Sequence, residues 1–330
     1  MGDRLEDREP LIVIAGPTAV GKSELAAELG RRIDGEVVSA DSMQVYRYMD
    51  IGSAKVTLEE MLGVPHHMID VIEPTDSMDV ARYASMANEC IGEIRSRNHV
   101  PVLSGGTGFY IQAVTRGIDF TETEPDSTFR EEMLSYAMKE GNEALHRKLA
   151  SVDPDAAAAI HPNNVKRVIR ALEFYRETGK TISSHNEEEK MRPSPYNLVY
   201  FAITDDREAL YRRIDERVDF MMEAGLADEV AYLRAMGLGR GCVSMQGIGY
   251  KELMDAMDGT VSCDEAVRII KRESRHYAKR QLTWLRREEG VIFIHRPDFG
   301  GDKSLILEEM LRIIEDRTGI RAKEVRDPHT

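Results

Sequence analysis

The chain has 330 residues, 42% of them hydrophobic and 31% charged, with a formal net charge of -14 at pH 7. That balance describes a soluble globular protein with room for one large domain or for a core plus an insertion. It argues against a non-specific nucleic-acid binder, which is usually basic, while leaving space for a local basic groove. No apolar run approaches the roughly 18 residues of a membrane span. Cys90, Cys242 and Cys263 are far apart, without disulfide or metal-ligand spacing. They fit a reducing compartment, so a cytoplasmic protein is expected.

Met1 to Pro10 is charged rather than apolar, and no signal peptide is expected. The apolar run Leu11 to Ala15 predicts a strand, and Glu24 to Leu29 opens a helical pattern. Between them stand Gly16, Pro17, Thr18, Ala19, Val20, Gly21, Lys22 and Ser23, the G-x-x-x-x-G-K-[ST] spacing of a phosphate-binding loop. The glycines let backbone N–H groups turn toward phosphate oxygens, and the helix N-terminus adds partial positive charge. Lys22 supplies a point charge, and the Ser23 hydroxyl is placed to hold Mg²⁺. A chance glycine-rich turn is the alternative.

A second short strand, Glu36 to Ala40, ends at Asp41-Ser42-Met43-Gln44. Ligands of open α/β sheets lie outside the carboxyl ends of the strands, so Asp41 should face the same crevice as the phosphate loop. It is a candidate Mg²⁺ ligand or general base, with a helix N-cap as the alternative. Gly52 to Lys55 and Pro65 to Asp70 read as loops, and His66 and His67 as packing or hydrogen-bonding residues rather than a chelating pair. Asp79 to Arg97 is helical by period, and Val100 to Leu103 is a third strand ending in Ser104-Gly105-Gly106-Thr107-Gly108. Thr107 is a candidate for a hydroxyl and an N–H offered to a phosphate or base; a tight turn is the alternative. This strand lacks the terminal aspartate that holds Mg²⁺ in many P-loop ATPases, which weighs against an ATP-driven motor or switch.

Between Thr121 and Pro195 the strand signal is absent. Pro125-Asp126 opens a helix to about Glu140; Gly141 breaks it and Glu143 to Ala150 resumes. Asp153-Pro154 starts a short helix, His161 to Asn164 stops it and caps the next, and that one runs from Val165 to Thr178 and ends at Gly179. An all-helical insertion in an α/β core is expected. Lys166, Arg167 and Arg170 fall near one face, either as a solvated basic surface or as contacts to a phosphate backbone. The core resumes with a strand, Asn197 to Ile203, and a helix capped by Asp205-Asp206 that carries Arg207, Arg212, Arg213 and Arg217. These arginines suit a lid over phosphates or intra-helix pairs with Asp215, Glu216 and Asp219. Gln246 to Lys251 is a glycine-rich turn entering a helix. Lys271 to Arg287 is basic with His276, Tyr277 and Trp284 interleaved, which fits a nucleic-acid or phosphate surface. A last strand, Val291 to Ile294, precedes a terminal helix and a polar tail from about Arg321.

Assembled in order, G-P-T-A-V-G-K-S, V-S-A-D-S-M-Q-V-Y, M-D-I-G-S-A-K, S-G-G-T-G-F-Y, R-V-I-R-A-L-E, G-I-G-Y-K-E and Y-A-K-R-Q-L-T-W-L-R resemble the tRNA dimethylallyltransferases, also called tRNA isopentenyltransferases. The likeness runs from about residue 11 to 295, and the combination is far more specific than the phosphate loop alone. Met43-Gln44 follows Asp-Ser as in many members, and Gly108 is one of several residues the family tolerates. The resemblance implies a P-loop NTPase-like core with a parallel sheet (residues 1–120 and 197–330) and a tRNA-binding helical insertion (121–196). It implies transfer of a dimethylallyl group from its diphosphate to the exocyclic amine of the adenosine just 3′ of a tRNA anticodon, with Mg²⁺. It places Asp41 and Thr107 in catalysis, and residues 16–23 with Arg217 on the diphosphate. It places Asp41, Ser42, Met43, Gln44, Thr107, Arg130, Lys166, Arg167, Val168, Ile169, Arg170, Gln246, Gly247, Gly249, Lys251 and Arg280 on tRNA, and Ser23 on the metal. A monomer is expected, with no membrane partner. Two rival readings are a P-loop small-molecule kinase, which leaves S-G-G-T-G and the basic aromatic helix unexplained, and prenylation of free AMP. A third is a non-enzymatic nucleotide-binding module, which leaves Asp41 and Thr107 without a task.

Overall fold

The structure, a computed structural model, describes residues 8–118 and 127–323. The described residues divide into two compact units, one formed by residues up to Thr115 and from Ser194 onward, the other by Arg116–Pro193.

In the first unit six strands form one parallel sheet in the order β3-β2-β4-β1-β5-β6. They are β1 Pro10–Ala15, β2 Gly35–Ala40, β3 His66–His67, β4 Val100–Gly105, β5 Asn197–Thr204 and β6 Val291–His295. β1 and β5 are buried on both faces, and their alternation shows it. Leu11, Val13, Tyr200 and Ala202 belong to one apolar cluster, while Ile12, Ile14, Val199 and Phe201 belong to the other. Helices α1 Lys22–Ile33 and α13 Lys303–Thr318 cover the second cluster; α2 Val80–Ser96 and α3 Gly108–Thr115 cover the first. The two-residue β3 lies at the sheet edge where sequence alone reads a loop. His67 hydrogen-bonds the buried Glu36 carboxylate at 2.6 Å, and His66 the Val64 carbonyl at 2.9 Å.

The second unit is helical: α4 Ser127–Glu140, α5 Asn142–Val152, α6 Pro154–Ala159, α7 Val165–Thr178 and α8 Ile182–Met191. The expected opening of α4 at Pro125-Asp126 lies outside the described residues. Leu145, Leu149, Val168 and Ile169 are buried in its core. Asp153 caps α6 by accepting the Ala156 N–H at 2.9 Å, and its other oxygen accepts the Ser183 N–H at 3.0 Å, so one buried carboxylate fixes the starts of both α6 and α8. Asn164 stands at the N-cap of α7 without a side-chain cap bond; the turn closes instead through its N–H to the His161 carbonyl. Helix α8 has little amphipathic pattern and starts on the Thr181 side chain, which accepts the Ser184 N–H.

The basic residues of this unit are not equivalent. Glu173, 1% exposed, takes both oxygens to Arg130 (2.7 and 2.8 Å) and one to Arg170 (2.9 Å). Burial pushes the Glu173 carboxyl up, and the Arg130 and Arg170 bonds and charges outweigh that, leaving it below the ordinary range. Lys166 and Arg167 are exposed. Replacing Glu173 by Ala is expected to cost about 1–3 kcal/mol, the cost of removing hydrogen bonds to charged groups at a buried site. Thermal unfolding of the chain will read that loss.

Candidate active site

Three loops start from one line of strand ends. Ala15 at the end of β1 is in register with Gly105 of β4, and Gly105 is in register with Ala40 of β2. The phosphate loop, the Asp41 turn and the Gly106–Thr107 loop therefore leave the sheet side by side, at the carboxyl edge where open α/β sheets bind ligands.

In the phosphate loop Gly16 admits no side chain, because a Cβ there would lie 2.8 Å from both the Ile203 carbonyl oxygen and Val20 Cγ1. Gly21 turns at φ 94° into α1, and Ala19 is also left-handed at φ 63°. The strained segment is held from one side. Arg213 Nε donates to the Ala19 carbonyl at 3.1 Å, and Arg296 Nη1 to the Val20 carbonyl at 3.3 Å. Both arginines share the buried Asp205 carboxylate. Because a trans peptide sets its N–H opposite its C=O, the Val20 and Gly21 N–H groups then point away from these arginines. Asp205, expected to help cap the following helix, is instead drawn to this pair.

Beside the loop lies a cavity of about 420 Å³, entirely within the first unit. Beside Ala19 of the loop, its polar lining includes Thr18, Asp41, Ser42, Arg217 and Tyr277. Its apolar lining includes Val218, Met221, Leu226, Val243, Ile248 and Ile270. Met43, Gln246, Gly247, Gly249, Lys251 and Arg280 also line it. Of the four arginines on α9 (Arg207–Glu223), Arg217 is the one on the cavity wall. Arg213 serves the loop, and Arg207 stacks on Tyr211. Burial lowers the Arg217 pKa, with Asp41 opposing the shift. Burial also lowers Lys22 to about 8, with Asp41 raising it and Arg217 lowering it further. Burial and the Asp41 charge push the Tyr277 phenol up to about 12, so it is protonated at neutral pH.

Asp41 Oδ1 accepts the Met43 N–H at 2.9 Å, which fixes the carboxylate at the loop start. The Thr107 N–H donates to the Ala40 carbonyl at 3.1 Å, and its hydroxyl oxygen accepts the Ser42 N–H at 3.1 Å. Gln44 is buried: its Oε1 accepts from the Ser39 hydroxyl at 2.9 Å, and its amide donates to the Ala54 carbonyl at 3.2 Å. Val20 points into the core. Arg130, Lys166, Arg167, Val168, Ile169 and Arg170 belong to the helical unit, where Val168 and Ile169 are core residues. Two residues of the expected basic surface of α12 (Cys263–Leu285) are spent on α9: Lys271 pairs with Asp219 and Arg275 with Asp215. Three residues to which the sequence assigns no part in the site support it. Asp205 and Arg296 hold the phosphate loop, and Gln281 lies directly behind it. The loop partners of Arg296 and Gln281 are 276 and 263 residues away, so no local spacing announces these two.

Fold and site define a P-loop α/β protein that presents a phosphate cradle, a carboxylate and an apolar wall to one cavity. The family model described as IPP transferase matches residues 44–288, and that described as Isopentenyl transferase matches residues 10–76. A tRNA dimethylallyltransferase of Lachnoclostridium phytofermentans is 50% identical over 313 residues, covering 95% of this chain and all of the relative. The solved tRNA isopentenylpyrophosphate transferase of Bacillus halodurans is 46% identical with TM-score 0.71, covering 94% of this chain and 99% of that one. A solved eukaryotic dimethylallyltransferase acting on tRNA is 28% identical with TM-score 0.81, covering 97% of this chain and 82% of that one. The chain belongs to the tRNA dimethylallyltransferase (IPP transferase) family and is an enzyme.

The lowered Lys22 pKa carries a sign that can be measured. A bound diphosphate favours the ammonium form and raises that pKa, so binding above about pH 8 must draw a proton. Pyrophosphate affinity should be flat below that pH and fall by up to about tenfold per unit above it. Isothermal titration calorimetry on Lys22→Met should show the fall removed.

Proposed function

We propose that this enzyme transfers a dimethylallyl group from dimethylallyl diphosphate to the exocyclic amine of the adenosine immediately 3′ of the anticodon of tRNA. The observation that carries the reading is the single cavity in which the phosphate loop, Asp41, Arg217 and an apolar wall meet. An allylic diphosphate has those two ends: an anion to be neutralised as it leaves, and a hydrocarbon tail that must stay dry while positive charge develops. The relatives are named for tRNA, which weighs against the kinase and free-AMP readings.

In this reading the loop N–H groups, Lys22 and Arg217 take up the charge on pyrophosphate as the allylic C–O bond breaks. The adenine amine is a poor nucleophile, since its lone pair is delocalised into the ring. The Asp41 carboxylate accepts its proton as the C–N bond forms. Tyr277 is protonated and cannot take that role. Thr107, fixed between Ala40 and Ser42, orients the amine or a phosphate oxygen. The donor set also fits Mg²⁺. Among the described residues no cluster of three or more His, Cys, Asp or Glu could hold a metal. Mg²⁺ is instead usually held by one or two protein oxygens, substrate phosphates and water. The Ser23 hydroxyl would hold it, and the ion would add charge neutralisation at the diphosphate.

The helical unit supplies the grip on the anticodon stem through Lys166, Arg167, Arg130 and Arg170. The target adenosine lies in a loop, so extruding it costs less than flipping a base from a duplex. The three cysteines are unpaired, which supports a reducing, cytoplasmic setting, and no described helix is long and apolar enough to cross a membrane.

Asp41→Asn is expected to lower kcat by about 10²–10⁴-fold, the range for loss of a general base. Single-turnover transfer to tRNA checks it, and near-normal turnover would remove Asp41 from this role. Lys166→Ala and Arg167→Ala should each weaken tRNA binding and reduce its salt slope by about 1. They make a cleaner test than Arg130 or Arg170, whose removal also strips Glu173 of a partner.

A further inference from the structure

Helix α12 stands behind the site, and one of its faces holds two of the three loops together. Gln281, 7% exposed, accepts the Thr18 N–H on Oε1 at 2.9 Å and donates from Nε2 to the Gly106 carbonyl at 2.9 Å. Thr18 belongs to the phosphate loop; Gly106 immediately precedes Thr107. The fit leaves no slack, because a Cβ on Gly106 would lie 2.1 Å from Nε2. One turn earlier, Tyr277 lines the cavity beside Asp41. One turn later, Trp284 lies where a Cβ on Gly108 would be, 2.5 Å from its ring. Residues 277, 281 and 284 share one helix face. A primary amide is suited to this place: it receives a peptide N–H and gives to a peptide C=O at once, as a neighbouring strand would.

We infer that Gln281 is a positioning residue that sets the separation between the phosphate loop and the Gly106–Thr107 loop, and so between the leaving diphosphate and the acceptor amine. The inference rests on the prenyl-transfer reading above. Gln281 does not line the cavity and acts through the two loops. Its loss should therefore leave each substrate's binding nearly intact and misalign the reacting atoms.

The test uses Gln281→Leu, which removes both bonds, and Gln281→Glu, which keeps the acceptor and loses the donor. Pyrophosphate binding is followed by the fluorescence of Trp284, the one tryptophan of the chain, and transfer by label incorporation into tRNA. For Gln281→Leu the expected result is a kcat lower by about 10²-fold, with both KM values and pyrophosphate affinity within about threefold of wild type. Gln281→Glu should lose as much at about pH 8. Its kcat relative to wild type should recover toward about pH 6, where a buried carboxyl regains a proton to donate to Gly106. A purely structural glutamine would not produce that recovery. Wild-type kcat in either variant, a loss confined to KM, or a ratio flat in pH overturns the inference; if the leucine variant does not fold, the glutamate ratio decides alone. No transfer by the wild type would instead overturn the prenyl-transfer reading, with pyrophosphate binding still measurable.

Discussion

Gly105 is the point on which the site depends. Strands β2 and β4 close so tightly at their carboxyl ends that a Cβ on Gly105 would lie 2.2 Å from the Ala40 carbonyl oxygen. That closeness, continued by Ala15 of β1 in the same register, brings three loops of unrelated sequence to one edge. The Thr107 N–H then stitches its loop to Ala40. Phosphate cradle, carboxylate and threonine are thus neighbours through sheet register, which a long parallel ladder enforces far more rigidly than loop contacts alone would.

Charge is arranged against that frame with a clear asymmetry. The chain as a whole is acidic, at -14, yet the cavity collects cations. Burial lowers the pKa of both Lys22 and Arg217, the Arg217 charge lowers Lys22 further, and Asp41 opposes the shift in both. A diphosphate is the kind of partner these groups match. On the facing surfaces of α9 and α12, acids and bases cancel in pairs such as Arg275 with Asp215. The phosphate loop's strain at Ala19 is countered by Arg213 and Arg296, both anchored on Asp205. Cations in this enzyme therefore do two separate jobs: some face the substrate site, and others hold the backbone that faces it.

Much of this was legible in the residues. Five strands, the phosphate loop and the carboxylate at the end of β2 follow from local pattern, because apolar runs bounded by glycine and a fixed loop spacing are local properties. The strand-free block between Thr121 and Pro195 likewise announces a helical insertion. Short or polar elements left too little pattern: β3 has two residues, and α8 carries almost no apolar stripe. The arginines of α9 were visible as a cluster, but only packing decides that Arg217 faces the cavity while Arg213 faces the loop. Arg130 is placed on tRNA by the resemblance alone; its bidentate bond to Glu173 spans 43 residues of sequence. Gln281 was hidden for the same reason, since a buried amide bridging two distant loops has no signature around itself.

The most direct measurement is incorporation of label from radiolabelled dimethylallyl diphosphate into unmodified tRNA carrying adenosine 3′ of its anticodon, with Mg²⁺ present. The account predicts label in the tRNA, abolished when that adenosine is replaced by guanosine. Label that persists after the replacement would contradict the assigned acceptor. Turnover of ATP on a small acceptor, with no label in tRNA, would contradict prenyl transfer itself.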